Sequence, residues 1–219
     1  MSEVFEWVVA LFAAYLLGSL PTGVLVGKLW RGVDVRSYGS GSTGATNVLR
    51  TLGPRAAAMV LLLDGVKGAA AVLVAMALSD SPVLISLSGI LAIIGHSWPV
   101  FARFKGGKGV ATGLGALVVI APIAAAVAAI GVMIVLVTRY VSLGSMVGAA
   151  AGMAAVVVLI LLDRMEVAYL IFAITAFVLI EIRHSTNVLR LLKGTENKLA
   201  GIPRPRRFRN RGSSRTRHP

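Results

Sequence analysis

The chain has 219 residues, 57% of them apolar and only 14% charged, with a mean hydropathy of +0.84. So few charges cannot coat a water-exposed globule, and apolar runs near the ~20 residues that span a bilayer recur along the chain, so an all-α integral membrane bundle is expected and a soluble domain is excluded. The net charge of +13, from 22 Lys+Arg against 9 Asp+Glu, fits cytoplasmic loops facing anionic lipid rather than nucleic acid, and the lack of cysteine excludes thiol catalysis, enzyme-bound thioesters, disulfides and cysteine-bound metal.

Val4 to Lys28 is the first apolar stretch, with Gly18, Pro21 and Gly23 set to kink or unwind its second half. The acids near Ser2–Glu6 and the lack of a small-residue cleavage site make it a retained helix rather than a signal peptide. Trp30 to Gly53 is polar, basic and glycine-rich. Pro54 to Leu78 is the second span and carries Asp64 and Lys67, which at i, i+3 are placed to pair with each other. Ser79–Pro82 is a short turn without Lys or Arg. Val83 to Phe101 is the third span, and Arg103 to Gly115 is a second basic, glycine-rich stretch.

Charge sets the topology. The basic loops Arg31–Arg55 and Arg103–Lys108 belong in the cytoplasm, and the N-terminus outside. The basic tail after Arg183 must also be inside, so an even number of crossings separates it from Lys108. Four fit if Pro122 divides Val110–Ala121 from Ile123–Val137, giving seven segments in all. Val110–Ala121 reaches only about 18 Å at 1.5 Å per residue, so a re-entrant segment and five true spans are the alternative. Residues 1–202 read as one transmembrane domain. Pro203 to Pro219 holds seven Arg and reads as a disordered tail on anionic lipid.

Three polar segments could carry chemistry. The first, Tyr38 to Asn47, has Gly39, Gly41 and Gly44 in a G-x-G-x-x-G string, but no strand precedes it, so it is no dinucleotide fingerprint. Its glycines let backbone N–H groups approach an anion, Ser40, Ser42, Thr46 and Asn47 add donors, and Arg50 follows one turn after Asn47. The second runs from Phe104 to Gly113 and includes Lys105, Gly106, Gly107, Lys108 and Gly109 at a helix start. Free N–H groups and the helix dipole make that an anion cradle, although Ala102 stands where a Walker A loop needs its first glycine. The third is Arg183 to Glu196. On a helix continuing from the last span, Arg183, Asn187 and Arg190 share a face, and His184 is suited to general-base work near neutral pH. His96 closes the third span, either as a packing histidine or in contact with substrate. Three anion-seeking segments on one membrane face imply a phosphate-bearing substrate handled beside lipid. No metal or cofactor is called for.

These strings resemble the bacterial acyl-phosphate-dependent glycerol-3-phosphate acyltransferase family. The match runs from Gly18-Ser19-Leu20-Pro21 through Tyr38–Gly41, Gly44–Asn47, Asp64–Gly68, Gly95-His96-Ser97 and Lys105–Thr112 to Arg183-His184, Asn187 and Gly194–Glu196. Ser42-Thr43 departs mildly from the family pattern, and the Arg-rich tail lies outside it. The resemblance implies acyl phosphate as donor, glycerol 3-phosphate as acceptor, membrane lipid as surroundings and no cofactor. It also implies catalytic parts for Ser40, Arg50, Lys108, His184 and Asn187, and substrate contacts for Gly41, Thr46, Asn47, His96, Lys105, Gly106, Gly107, Gly109, Thr112 and Glu196. The H-x-x-x-x-D motif of other acyltransferases is absent, since Phe101 and Leu189 stand five residues after His96 and His184. Either His184 or Asn187 orients the acceptor hydroxyl, or the donor phosphate takes its proton, its second pKa being about 6 like that of phosphoserine. The competing class is an organic-anion transporter built on broken helices, although no similar halves are apparent.

Overall fold

The computed structural model describes residues 2–199, so the Arg-rich tail expected over 203–219 and the end of the domain at 202 lie outside the described residues. The regular structure of the described residues is all helical, joined by loops and without a strand. In chain order the helices are α1 (Glu3–Ser19), α2 (Thr22–Arg31), α3 (Ala45–Leu52), α4 (Pro54–Leu78), α5 (Pro82–Ser97), α6 (Val110–Ile120), α7 (Pro122–Ala128), α8 (Ile130–Thr138), α9 (Val141–Leu161), α10 (Leu170–Arg183) and α11 (Ser185–Leu192).

The breaks reflect local chemistry. Pro21, which lacks an N–H, ends α1, and Leu20 before it is extended. Pro54, Pro82 and Pro122 each open a helix, where a missing N–H does no harm. The Ser81 hydroxyl caps Leu84 N at 3.4 Å. The bend after the last span has no such signal. α10 and α11 meet at 57° around His184, so the continuous helix expected to carry Arg183, Asn187 and Arg190 is broken there, although all three line one cavity.

Four helical stretches are long and apolar enough to cross a membrane: Glu3–Arg31, Pro54–Leu78, Pro82–Ala102 and Val141–Leu161. Val167–Arg183 and Ser185–Leu192 reach that length only when counted together as one bent stretch, and Val110–Ile120 and Pro122–Thr138 are shorter apolar helices. Large apolar side chains such as Phe12, Leu62, Leu136 and Leu161 stay exposed on the outside of the bundle. Such a surface needs a hydrocarbon environment, as do helices that satisfy their own backbone.

Small residues bring the helices together. α1 lies on α5 and α4, α4 on α6, α8 on α9, and α10 on α9 and α5. A side chain at Gly18 would strike the backbone of Ala92, one at Gly115 would strike Gly65, and one at Gly131 would strike Gly144. In lipid, where burial gives helices little reason to associate, such close approach supplies the packing contacts. Within this frame Asp64 and Lys67 pair as the sequence predicts, at 2.9 Å. Asp64 also accepts from Thr22 Oγ1 at 2.5 Å and lies 3.4 Å from His96 Nδ1, while Lys67 donates to the carbonyl that the α1–α2 break leaves open at Leu20. The buried carboxylate and ammonium are thus compensated from α2, α4 and α5 and from the break itself.

Candidate active site

Three of the helices begin at one cavity of about 870 Å³. Gly44, Ala45 and Thr46 at the start of α3 line it, as do Gly109, Val110 and Ala111 at the start of α6, and His184, Ser185 and Thr186 at the start of α11. No side chain caps any of the three starts, and at α3 and α6, which follow loops, leading N–H groups remain for a ligand. Five basic side chains line the same space: Arg50, Lys105, Lys108, Arg183 and Arg190. Against them stand only Asp64, which already holds Lys67, and Glu196, which holds Arg190 at 2.8 Å. Neither Arg50 nor Lys105 has a charged partner among the described residues, so the cavity carries excess positive charge.

The first loop is built around Asn47. Its side chain is 1% exposed, accepts from Ser40 N at 2.9 Å, and donates to the carbonyls of Val35 and Ser42 at 2.9 and 2.8 Å. Asn47 is therefore occupied in holding the loop and has no donor left for a ligand. Gly39 and Gly41 have φ of 59° and 72°, which turns the backbone sharply on both sides of Ser40 and leaves that residue exposed. Ser40, Gly41, Thr46 and Arg50 all face the cavity.

The second loop is draped over His96. Gly107 N donates to His96 O at 3.1 Å. A side chain at Gly106 would run into that carbonyl, and one at Gly107 into the imidazole ring. Gly106, Lys105, Lys108 and Gly109 line the cavity, and so does His96 from beneath. Gly107 and Thr112 do not. The Gly107 carbonyl accepts from Arg183 Nε and Nη2 at 3.1 and 2.9 Å, while Thr112 is fully buried against Gly68 where α4 crosses α6. Their expected substrate contacts are replaced by structural ones.

The third segment orients the second. Lys108 Nζ donates to Asn187 Oδ1, whose Nδ2 donates to Glu196 Oε1 at 2.6 Å. Ser142 Oγ donates to the same oxygen at 2.8 Å and Arg190 Nε to Oε2 at 2.8 Å. Glu196 therefore fixes which end of the Asn187 amide faces Lys108, rather than reaching for a ligand itself. Burial, reinforced by the nearby Arg190, Arg50 and Arg183, lowers the Lys108 ammonium to about 8 from its ordinary 10.5, with Glu196 opposing. Burial and Lys108 hold His184 down at about 4. Its Nδ1 lies 2.8 Å from Ile180 O, which can only accept, so Nδ1 carries the proton and Nε2 is left with a lone pair. His184 is thus a neutral acceptor and only a weak base.

Beyond the cradle the cavity becomes apolar. Leu117 of α6, Val132 and Val135 of α8, Gly148 and Met153 of α9, and Phe172 and Ala176 of α10 form its walls. Sequence reasoning missed Ser142 and the backbone clasp made by Arg183. Ser142 is a lone hydroxyl at the start of an apolar helix, and its partner lies 54 residues away.

Fold and site together define a class: a multi-pass membrane protein in which a basic pocket built on helix N-termini opens into an apolar channel. A family model described as glycerol-3-phosphate acyltransferase matches residues 8–194. Glycerol-3-phosphate acyltransferase 2 of Moorella thermoacetica is 45% identical over 194 residues, covering 88% of this chain and 97% of the relative. The glycerol-3-phosphate acyltransferase of Symbiobacterium thermophilum is 46% identical over 202 residues, covering 92% and 98%. A crystal structure of PlsY (YgiH), an integral membrane glycerol 3-phosphate acyltransferase in its glycerol 3-phosphate form, matches with a TM-score of 0.81 at 38% identity, covering 89% of this chain and 96% of that one. Its lysophosphatidic acid form matches at 0.79. The chain belongs to the glycerol-3-phosphate acyltransferase family and is a membrane acyltransferase. The transporter alternative falls with that finding.

Proposed function

We propose that the protein transfers an acyl group from acyl phosphate to the sn-1 hydroxyl of glycerol 3-phosphate, releasing phosphate and 1-acyl-glycerol 3-phosphate. One observation carries the reading. A single cavity joins a cationic cradle at three helix starts to an apolar channel, which suits a phosphate head and an acyl tail held side by side. The relatives' names supply the acceptor, and the family resemblance supplies the donor.

Lys108 and Arg50 neutralise the two phosphates, while Ser40, Thr46 and the N–H groups at Gly109–Ala111 place them. The acceptor hydroxyl oxygen attacks the acyl carbon, and the bond from that carbon to the phosphate oxygen breaks. The donors at the cavity stabilise the oxyanion formed between these two events. Holding the reactants together supplies much of the acceleration. The proton passes to the departing phosphate, whose second pKa of about 6 exceeds that of His184. His184 Nε2 then orients the hydroxyl as an acceptor, and Asn187 keeps Lys108 in place. No thioester is involved, so the lack of cysteine is no obstacle.

The site faces the cytoplasm of a bacterial inner membrane, with the N-terminus outside and the C-terminus inside, and seven segments cross. The basic loops support this orientation. The cysteine-free chain allows a test, since a cysteine placed at Ile123 should react with an impermeant thiol reagent from outside. Protection there would return the count to five. The reaction is tested by giving purified protein palmitoyl phosphate with and without glycerol 3-phosphate. Phosphate release that depends on the acceptor, with lysophosphatidic acid as product, is the expected result. No release from folded protein would overturn the donor assignment.

A further inference from the structure

We propose that Arg36 is a positioning residue that clasps the two anion-binding loops together and sets the distance between the two bound substrates. The inference rests on the proposed two-substrate reaction for its kinetic side and on geometry alone for its structural side. Arg36 belongs to the first loop and is anchored there. Its Nε lies 3.0 and 3.2 Å from the two Asp34 carboxylate oxygens, its Nη2 donates to Asp34 Oδ2 at 2.7 Å, and its backbone N donates to Asp34 Oδ1 at 3.0 Å. The residue before it, Val35, is fully buried, and its carbonyl accepts from Asn47, so Arg36 starts from the same frame that shapes Ser40.

From that frame Nη1 crosses to the second loop and donates to the Ala102 carbonyl at 2.9 Å. The backbone just past Ala102 is unusual. Arg103 and Phe104 both adopt left-handed backbone, with φ of 55° and 60°, although neither is glycine and both side chains are exposed. Two such residues in succession are disfavoured by the clash of Cβ with the backbone, and they persist only where surroundings hold them. The holding contacts are Phe104 N to Pro99 O at 2.8 Å, Lys105 N to Ala102 O at 3.3 Å, and the Arg36 guanidinium on the same Ala102 carbonyl. This turn aims Lys105, Gly106, Lys108 and Gly109 at the cavity. A charged fork that needs Asp34 to keep its plane thus ties a rigid frame on one loop to a strained turn on the other. Since a misplacement of about 1 Å can cost roughly 10²-fold in rate, the spacing is where such a clasp acts.

The test uses the full chain, whose lack of cysteine permits a spin-label pair at Ser37→Cys and Phe101→Cys, both exposed positions outside the cavity lining. The parent pair should give a narrow distance distribution, and adding Arg36→Ala should broaden it. With both substrates saturating, Arg36→Ala should lower kcat by roughly 10- to 100-fold, while calorimetric affinity for glycerol 3-phosphate alone changes less than about threefold, a shift of less than ~0.7 kcal/mol. Arg36→Lys keeps one donor for Ala102 and should recover part of both the rate and the narrow distribution. An unbroadened distribution in Arg36→Ala overturns the clasp whatever the substrates are. Broadening with an equal loss of glycerol 3-phosphate affinity reduces Arg36 to a fold residue and also overturns the spacing role. Should Arg36→Ala fail to fold, Asp34→Asn is read in the same way, because the fork loses its anchor but Arg36 keeps its donors. Failure of the donor assignment is separable, since the unsubstituted protein would then release no phosphate while the distance measurement still stands.

Discussion

The two glycine-rich loops look alike in composition and differ in what their glycines do. In the Tyr38–Asn47 loop the glycines supply conformation: Gly39 and Gly41 turn the chain at positive φ, and Asn47, whose Oδ1 fills the space where a Gly39 side chain would stand, ties the result to itself. In the Lys105–Gly109 loop Gly106 and Gly107 supply clearance: they have ordinary φ and sit against His96, and only Gly109 takes a left-handed backbone, at the start of α6. One loop is shaped from within. The other is shaped by the residue beneath it, which in turn rests on Asp64. A glycine-rich string at a binding site therefore has no single physical meaning.

The contrast can be broken at several points. The largest effect should come from Lys108→Ala, because the second loop carries the cation that meets the phosphate. Loss of roughly 10³-fold in kcat is expected, with the melting temperature preserved. Near-normal turnover would falsify the cradle. Gly107→Ala should come next. The added methyl meets the His96 ring, and overpacking of this kind costs about 1–3 kcal/mol. Combining it with His96→Ala should cost less than the two single changes together, because the smaller side chain clears the space. Gly39→Ala should cost about 1–2 kcal/mol for its positive φ alone, and trimming Asn47, whose Oδ1 the added methyl would strike, should not rescue it because the φ penalty remains. Equal rescue of both, read from thermal unfolding, would erase the distinction.

The finest probe is pH. The folded state holds the Lys108 proton only up to about pH 8, whereas the unfolded chain holds it to about 10.5. Between these values the unfolded state binds more protons, so the Lys108 contribution to stability rises with pH. Activity that needs the ammonium should fall over the same interval. Below pH 8 the burial penalty is fully present. Comparing the protein with Lys108→Met isolates this contribution, and the two curves should diverge in opposite directions above pH 8. The neutral His184 adds no inflection of its own between about pH 5.5 and 7.5, so a change there belongs to the substrate phosphates, whose second pKa is about 6, and should persist in His184→Ala. Stability and activity falling together above pH 8 would remove Lys108 as the titrating group.

Much of this was legible in the sequence. Pro54 marked a helix start, Pro82 and Pro122 marked breaks whose helices begin one residue before the expected Val83 and Ile123, the apolar runs marked the long helices, and the positions of Arg50 and Lys108 put charge at helix ends. The Asp64–Lys67 pair came from i, i+3 spacing alone. What escaped depends on contacts far apart in the chain. Asn47 reads as a donor because its partners at Val35 and Ser42 are carbonyls, which every residue has. Glu196 reads as a contact residue because Ser142, 54 positions earlier, carries no signal of its own. The 57° bend at His184 escaped because neither proline nor glycine marks it. Gly107 and Thr112 stand in the right string, but Gly107 lies on the His96 ring and Thr112 is buried on α6 against α4, and neither lines the cavity.

The break between α1 and α2 bears on how the molecule is made. α4 must enter the bilayer carrying Asp64 and Lys67, and a charge at the centre of an inserting helix is disfavoured by about 2.5–3.5 kcal/mol on insertion scales. Their pairing within one helix offsets part of this from the start. The rest is relieved only when the open Leu20 carbonyl and Thr22 arrive from the segment already inserted, and His96 from the one still being synthesised. The second span is thus settled by its neighbours on both sides, and nascent chains ending before His96 should hold it less securely than longer ones.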